Sequence, residues 1–408
     1  MAQFNEVCIV SYARTPMGSL AGSLSSFSAA QLGACAMKAV LSNASVGAEA
    51  VEEVFFGHVL TGGAGQHSAR QAAEQAGIRA PATGVNKVCA SGMKAATLGA
   101  QAIMLGLRDC VMVGGMESMS NAPYVASAMR GGARMGHTSM EDSMIKDGLW
   151  DACGADHGPA GAHMGVLAEH CAAAHGIDRA AQDAHAAESY RRAAAAARAG
   201  KFAEIATVEV AGKRGKPPTL VVADEEVALR GESTSVASLG AMRTAFARGA
   251  EATVTAGNAS TISDGAAALL LMSRAKAIEL GVTVHATISG FGEGAKKPEE
   301  FTTAPALAIP HALARAGVAL ADVDFFEINE AFSVVACANL KLLQLDDAKV
   351  NVYGGAVAMG HPLGCSGARI MCTLLSVLRQ EGGATGCAAV CNGGGGASAV
   401  VIKLEPSQ

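Results

Sequence analysis

Twice in this chain a short apolar run stops abruptly at glycine. Residues 109–113 (Asp-Cys-Val-Met-Val) lead into Gly114-Gly115, and residues 388–390 (Ala-Ala-Val) lead through Cys391-Asn392 into four consecutive glycines. Runs of that length bounded by glycine read as buried strands whose ends come close to another backbone. Ahead of the first run, Met93, Ala96, Ala100, Ile103 and Leu107 recur at helical spacing; ahead of the second, Ile370, Leu374 and Val377 do the same. Helix followed by buried strand, once in each half, predicts an α/β protein built on a duplicated fold.

The remaining signals fit that plan. Residues 5–10, 51–60, 324–328 and 398–404 read as strands, and residues 91–107, 330–343 and 366–378 as helices. The stretch 119–253 differs in composition, with GGARMG, an Ala-rich helix over 182–198, a basic loop (Lys213-Arg-Gly-Lys-Pro-Pro218) and acidic Asp224-Glu-Glu226. An inserted loop domain at 119–253 is therefore expected between an N-terminal half (1–118, completed by about 254–280) and a C-terminal half (281–408). A chain of 408 residues, half of them apolar and 16% charged, has ample material for a buried core.

Several function classes are disfavoured. A net charge of −5 gives no nucleic-acid signature, and the longest apolar runs are too short to span a membrane. The N-terminus lacks the pattern of a signal peptide and the C-terminal Pro-Ser-Gln is not a peroxisomal tripeptide, so the cytoplasm is the default compartment. Eleven scattered cysteines without a CxxC pair suit a reducing environment. His157, His163, His170 and His175 invite a metal reading, but HExxH and finger spacings are absent.

Three residues stand in contexts that favour chemistry. Cys89, in VNKVCASGMKA, falls where helical periodicity begins, and a helix N-terminus lowers a thiol pKa; the alternative is an inert buried cysteine. His361, in GGAVAMGHPLGCSGAR, sits on a glycine-framed loop as a base for a thiol or as a structural histidine. Cys391, in AAVCNGGGGASA, ends a strand where bare backbone can aim N–H groups at an oxyanion, or where the chain simply turns.

VNKVCASGMKA, NEAF, GGAVAMGHPLGCSGAR and CNGGGGASA, in that order, resemble the thiolases over nearly the whole chain. GAHMG and the CNGGGGASA ending resemble the acetoacetyl-CoA (biosynthetic-type) members. The resemblance implies two similar βαβ-type halves with mixed five-stranded sheets plus the loop domain. It implies acetyl-CoA C-acetyltransferase activity: two acetyl-CoA give acetoacetyl-CoA and CoA. Cys89 would be acetylated, His361 would activate it, and Cys391 would move the α-proton. The N–H groups of Cys89 and Gly393 would form one oxyanion site, His361 and a water on Asn329 the other. Asn329 also reads as an N-cap for a helix starting near Glu330.

By the same resemblance, coenzyme A would run past His163, Met164, Ser238 and Ser260, with Arg243 or Lys213 near its phosphates. Tyr190 with carbonyls at Ala256, Gly257, Ala259 and Val357 would surround potassium in the manner of potassium-dependent members; no covalent cofactor is implied. A dimer at minimum, and a homotetramer for the biosynthetic type, is implied. The competing readings are a 3-ketoacyl-CoA thiolase acting on longer chains and a catalytically inactive acyl-CoA-binding protein. A papain-like protease lacks its sequence context.

Overall fold

The structure, a computed structural model, describes residues 4–153, 161–212 and 216–406. Among the described residues, nine strands of the main sheet follow one another: β1 Val7–Arg14, β2 Glu53–Gly57, β3 Ala82–Val85, β4 Cys110–Ser118, β5 Ser263–Ser273, β6 Ala286–Ala295, β7 Phe325–Ile328, β8 Thr385–Asn392 and β9 Gly396–Leu404. They lie in the order β7-β8-β9-β6-β1-β5-β4-β2-β3, with Gly18–Ser19 pairing beside them against β5.

The duplication is written in the strand directions. In the first half β3, β2 and β4 are parallel, and β4, β5 and β1 are antiparallel. In the second half β7 and β8 are parallel and β8, β9 and β6 antiparallel. A single parallel bridge from Phe326 to Val350 stands where β3 stands in the first half. The second sheet's fifth strand is thus one residue long, because Val350 lies between the turn Asp347–Lys349 and Asn351 at φ +47°. Nor are the sheets separate: β1 pairs with β6 at Cys8–Thr287 and Ile9–Ala286.

Period-two alternation sorts the core into layers. Val7, Ile9, Val111, Val113, Leu269, Leu271, Val390, Val400 and Ile402 share one cluster with residues of helices α2 (Ser91–Met104) and α7 (Leu363–Glu381). The alternate residues Cys8, Val10, Met112, Leu270 and Met272 pack instead with α1 (Ala29–Ala44). In the second half Cys387, Ala389, Ala399 and Val401 pack with α5 (Pro305–Ala316). Helices α2 and α7 therefore form the middle layer, between the two halves of the sheet. Each buried Val, Leu or Ile there contributes about 1.5–3 kcal/mol, so the layer order is strongly specified.

The strand does not stop at its glycines: β4 runs on through Gly114-Gly115 to Ser118, and close approach at the middle explains why glycine stands there. A Cβ on Gly115 would lie 1.9 Å from the Gly364 carbonyl oxygen, and one on Gly92 would lie 2.9 Å from both that oxygen and Ala368 N. The N-termini of α2 and α7 meet there. Helix α7 begins at Leu363, three residues earlier than its apolar spacing suggests, since Gly364 reads as loop but serves this contact. The β8–β9 junction is the short turn through Gly394 (φ +80°) and Gly395 (φ +81°). The equivalent β4–β5 junction carries residues 119–262, including α3 (Met164–His175) and α4 (Arg179–Arg198). Among the described residues no helix is long and apolar enough to cross a membrane.

Candidate active site

Between β3 and α2 the chain turns sharply at Val88, whose φ of +49° is unusual for a β-branched residue and costs on the order of 1–3 kcal/mol. Val88 N–H donates to Asn86 Oδ1 (2.9 Å), and Ser91 Oγ donates to the Val88 carbonyl (2.6 Å). The held turn places Cys89 on a cavity wall with 7% of its surface exposed. Burial pushes the Cys89 thiol up to about 12, opposed by the N–H groups of Gly393 and of Cys89 itself. The helix position is as expected from sequence, but the lowered pKa is not found. Desolvation outweighs the helix end, so the resting group is a thiol.

His361 enters from the corresponding place in the second half, just ahead of α7, and is buried. Its Nδ1 lies 2.5 Å from Ser366 Oγ, whose own proton goes to the Pro362 carbonyl (2.9 Å). Ser366 therefore accepts the Nδ1 proton and leaves Nε2 with a lone pair. Burial, then the positive charge of Arg369, hold His361 down at about 3, so the ring is neutral. Asn329 Nδ2 lies 3.4 and 3.5 Å from the two ring nitrogens.

Asn329 does not cap a helix. Helix α6 spans Ser333–Leu343 with Phe332 at its N-cap position. Neighbouring Glu330 points into the protein, where it accepts from His185 (3.0 Å), Ser189 (2.8 Å), Asn351 (2.9 Å) and Val357 N (3.1 Å). Burial would raise its carboxyl, but His185 and these hydrogen bonds outweigh it and hold Glu330 at about 2.

Cys391 lies at the end of β8 and is fully buried; burial, then the neighbouring Cys89, push its thiol well above the usual range. The following turn is tied to the loop region by Asp151, whose Oδ2 accepts from Gly394 N (2.7 Å). Glu117, at the end of β4, accepts from Val59 N (3.1 Å), Leu60 N (3.1 Å) and Gly364 N (2.9 Å). Neither carboxylate stands out in the sequence, and neither does Ser366.

Cys89 and His361 share a cavity of about 660 Å³ with His163, Met164, Ser260, Ala256, Ala259, Phe246, Phe301 and Phe332. His163 Nδ1 accepts from Gly165 N (3.0 Å) at the start of α3, and its ring stacks on Phe246 at 4.7 Å. Ser260 Oγ donates to the Ala331 carbonyl (2.8 Å). Two residues expected along the same path stand apart. Ser238 is exposed and closes a capping box with Ser235, and Arg243 is exposed on the surface. Lys213 and His157 lie outside the described residues, and among the described ones no His/Cys/Asp/Glu group is arranged for a metal.

Tyr190 is buried and packs in one cluster with Val357 and Leu239. Burial, then Glu226, push its hydroxyl up to about 12 against the effect of Arg230. A Cβ on Gly257 would lie 2.5 Å from Leu239 Cδ2 and 2.6 Å from Met242 Sδ, so these side chains occupy the space an alanine would need. Glu226 Oε2 is buried and accepts no hydrogen bond, although Arg230 Nε lies 3.2 Å away. The Glu226 carboxylate is thus ion-paired with Arg230, and the buried Tyr190 hydroxyl near it offers an oxygen of the kind a monovalent cation takes.

Family models described as "Thiolase, N-terminal domain" and "Thiolase, C-terminal domain" match residues 7–275 and 282–404. The chain is 53% identical over 405 residues to Acetyl-CoA acetyltransferase 2 of Arabidopsis thaliana, covering 98% of this chain and 97% of that protein. It is 52% identical over 405 residues to "Acetyl-CoA acetyltransferase ERG10, cytosolic" of Gibberella zeae, covering 99% of each. Over 401 residues it is 52% identical to Acetyl-CoA acetyltransferase of Schizosaccharomyces pombe, covering 98% of each. With these likenesses running through both halves and the loop region between them, the chain belongs to the thiolase family.

Proposed function

We propose that this chain is an acetyl-CoA C-acetyltransferase, joining two acetyl-CoA to acetoacetyl-CoA and CoA in a reversible Claisen condensation. The observation that carries this reading is the convergence of Cys89 and neutral His361 on one cavity, with Cys391 and the Gly393 N–H next to Cys89. Cys89 attacks the thioester carbonyl as His361 Nε2 takes its proton; the N–H groups of Cys89 and Gly393 hold the oxyanion, and CoA leaves with the proton. Cys391, its own proton passed to His361, then removes the α-proton of the second acetyl-CoA. The carbanion attacks the acetyl-Cys89 carbonyl, the protonated His361 and a water on Asn329 hold the new oxyanion, and Cys89 departs with the proton from His361. A thiol as deeply buried as Cys391 makes a strong base once ionised, which suits a carbon acid.

His163, Met164 and Ser260 lie on the path of the pantetheine arm, with Ser238 and Arg243 further out toward the nucleotide. A potassium ion held by the Tyr190 hydroxyl and the carbonyls of Ala256, Gly257, Ala259 and Val357 would supply positive charge against Glu226 and fix the segment that carries Ser260. We place the enzyme in the cytoplasm as a homotetramer. The exposed Tyr124, Met129, Met135 and Met140 support a second interface in the loop region, and the Gibberella relative's name supports the compartment. The deciding measurement is thiolysis by the purified enzyme: kcat/KM for acetoacetyl-CoA should exceed that for 3-ketohexadecanoyl-CoA. The reverse ranking would assign the enzyme to longer chains, and no turnover of either would leave an acyl-CoA-binding protein.

A further inference from the structure

Behind the Asn329 amide lies a buried arginine–glutamate pair that is poorly made. Arg369, on α7, and Glu327, on β7, are 0% and 1% exposed, yet their closest charged atoms, Nη1 and Oε2, are 3.7 Å apart. Both Glu327 oxygens and the Arg369 Nε and Nη1 lack any hydrogen-bond partner. Arg14, buried close by, is satisfied by Glu204 (3.1 Å) and Asp224 (2.6 and 3.0 Å), so the defect is local to this pair. A buried pair of this quality costs more in desolvation than its attraction returns, and an apolar pair of the same volume would be at least as stable.

The hydrogen bond that Arg369 does make explains its presence. Its Nη2 lies 3.4 Å from Asn329 Oδ1, on the side of the amide away from His361. An amide can present either end to the imidazole, and the two ends do opposite things. A guanidinium only donates, so it selects the carbonyl oxygen and leaves Nδ2 facing His361. Turned the other way, Asn329 would offer an acceptor where the reaction needs a donor.

We propose that Arg369 is a positioning residue that fixes Asn329 with its NH₂ group toward the reacting centre, and that Glu327 tethers the guanidinium without drawing it away from Asn329. The inference rests on the reading that Asn329 supplies a donor, through water, to the second oxyanion. Arg369 touches no substrate and acts only through Asn329.

A double-mutant cycle with Arg369→Met and Asn329→Ala tests it, with Arg369→Lys as the milder variant should the methionine protein not fold. Asn329→Ala should lower kcat about 10²–10³-fold, the range for one lost oxyanion donor. Arg369→Met should lower kcat at least about 10-fold with KM for acetyl-CoA within about 2-fold, since only the orientation of a group acting in the transition state is lost. The double variant should be no slower than Asn329→Ala alone, because Arg369 then has nothing left to orient. Arg369→Lys, which keeps the charge but loses the fork, should lie between Arg369→Met and the wild type. Losses that multiply in the double variant, beside a damaged Asn329→Ala enzyme, would overturn this inference alone. Near-normal kcat in Asn329→Ala would overturn the donor reading and this inference with it.

Discussion

A thiol buried as deeply as Cys89 becomes a nucleophile only when its proton has somewhere to go, and the neutral Nε2 of His361 is the acceptor its surroundings provide. Reaction of Cys89 with iodoacetamide should therefore depend on that base. His361→Ala should slow its alkylation at neutral pH at least about 10-fold and move the rate profile toward the high thiol pKa. Peptide mapping of timed samples reads this directly; an unchanged rate would mean that the N–H groups of Cys89 and Gly393 sustain a thiolate unaided. Cys391 should behave differently. Cys391→Ala should still take radioactive acetyl onto Cys89, while condensation falls on the order of 10²–10⁴-fold, the usual range for a positioned acid–base group. Cys89→Ala should take up none. Condensation at a normal rate in Cys391→Ala would make that cysteine structural and leave His361 as the α-proton's acceptor.

Elements bring these residues together through contacts that leave no room for a side chain. Gly115 faces the Gly364 carbonyl oxygen at the N-terminus of α7, three residues from His361. Gly115→Ala should cost about 3 kcal/mol or more, since backbone rather than a flexible side chain must move, and thermal unfolding would register it. A melting temperature within a degree or two of wild type would mean that the two central helices are not packed as tightly as the glycines suggest. The glycine contexts also explain what sequence could reveal. Cys89, His361 and Cys391 each sit beside backbone that must turn or approach closely, and such places are legible in a linear string. Their supports are not, because those meet across the fold: Glu117 reaches Gly364 N over 247 positions and Asp151 reaches Gly394 N over 243. The lowered thiol pKa read from helix position failed for the same reason. Burial of Cys89 comes from parts of the chain distant in sequence, and no local pattern reports it.

At the scale of the whole molecule, the duplication sets two equivalent helix starts face to face and buries titratable groups around them. Three of these buried groups link stability to pH in opposite directions. His361 is held at about 3 against an ordinary 6.5, so its contribution is complete above pH 6.5 and is lost as pH falls through 3. Glu330, at about 2 against 4.5, contributes fully above pH 4.5 and loses that contribution as pH falls through 2. Glu327 runs the other way. Burial raises it from 4.5 to about 8 despite Arg369, so its contribution is complete below pH 4.5 and is lost as pH rises through 8. Chemical unfolding of wild type and Glu327→Gln across pH 5 to 8.5 should therefore give curves that diverge. The glutamine variant should gain on wild type with rising pH by up to a few kcal/mol, on the order of 1.4 kcal/mol per pH unit at the steepest. A constant offset, reflecting only how well glutamine packs beside Arg369, does not bear on the slope. Parallel curves would show that Glu327 is ionised throughout this range in the folded protein, and that the guanidinium compensates it far better than their 3.7 Å separation suggests.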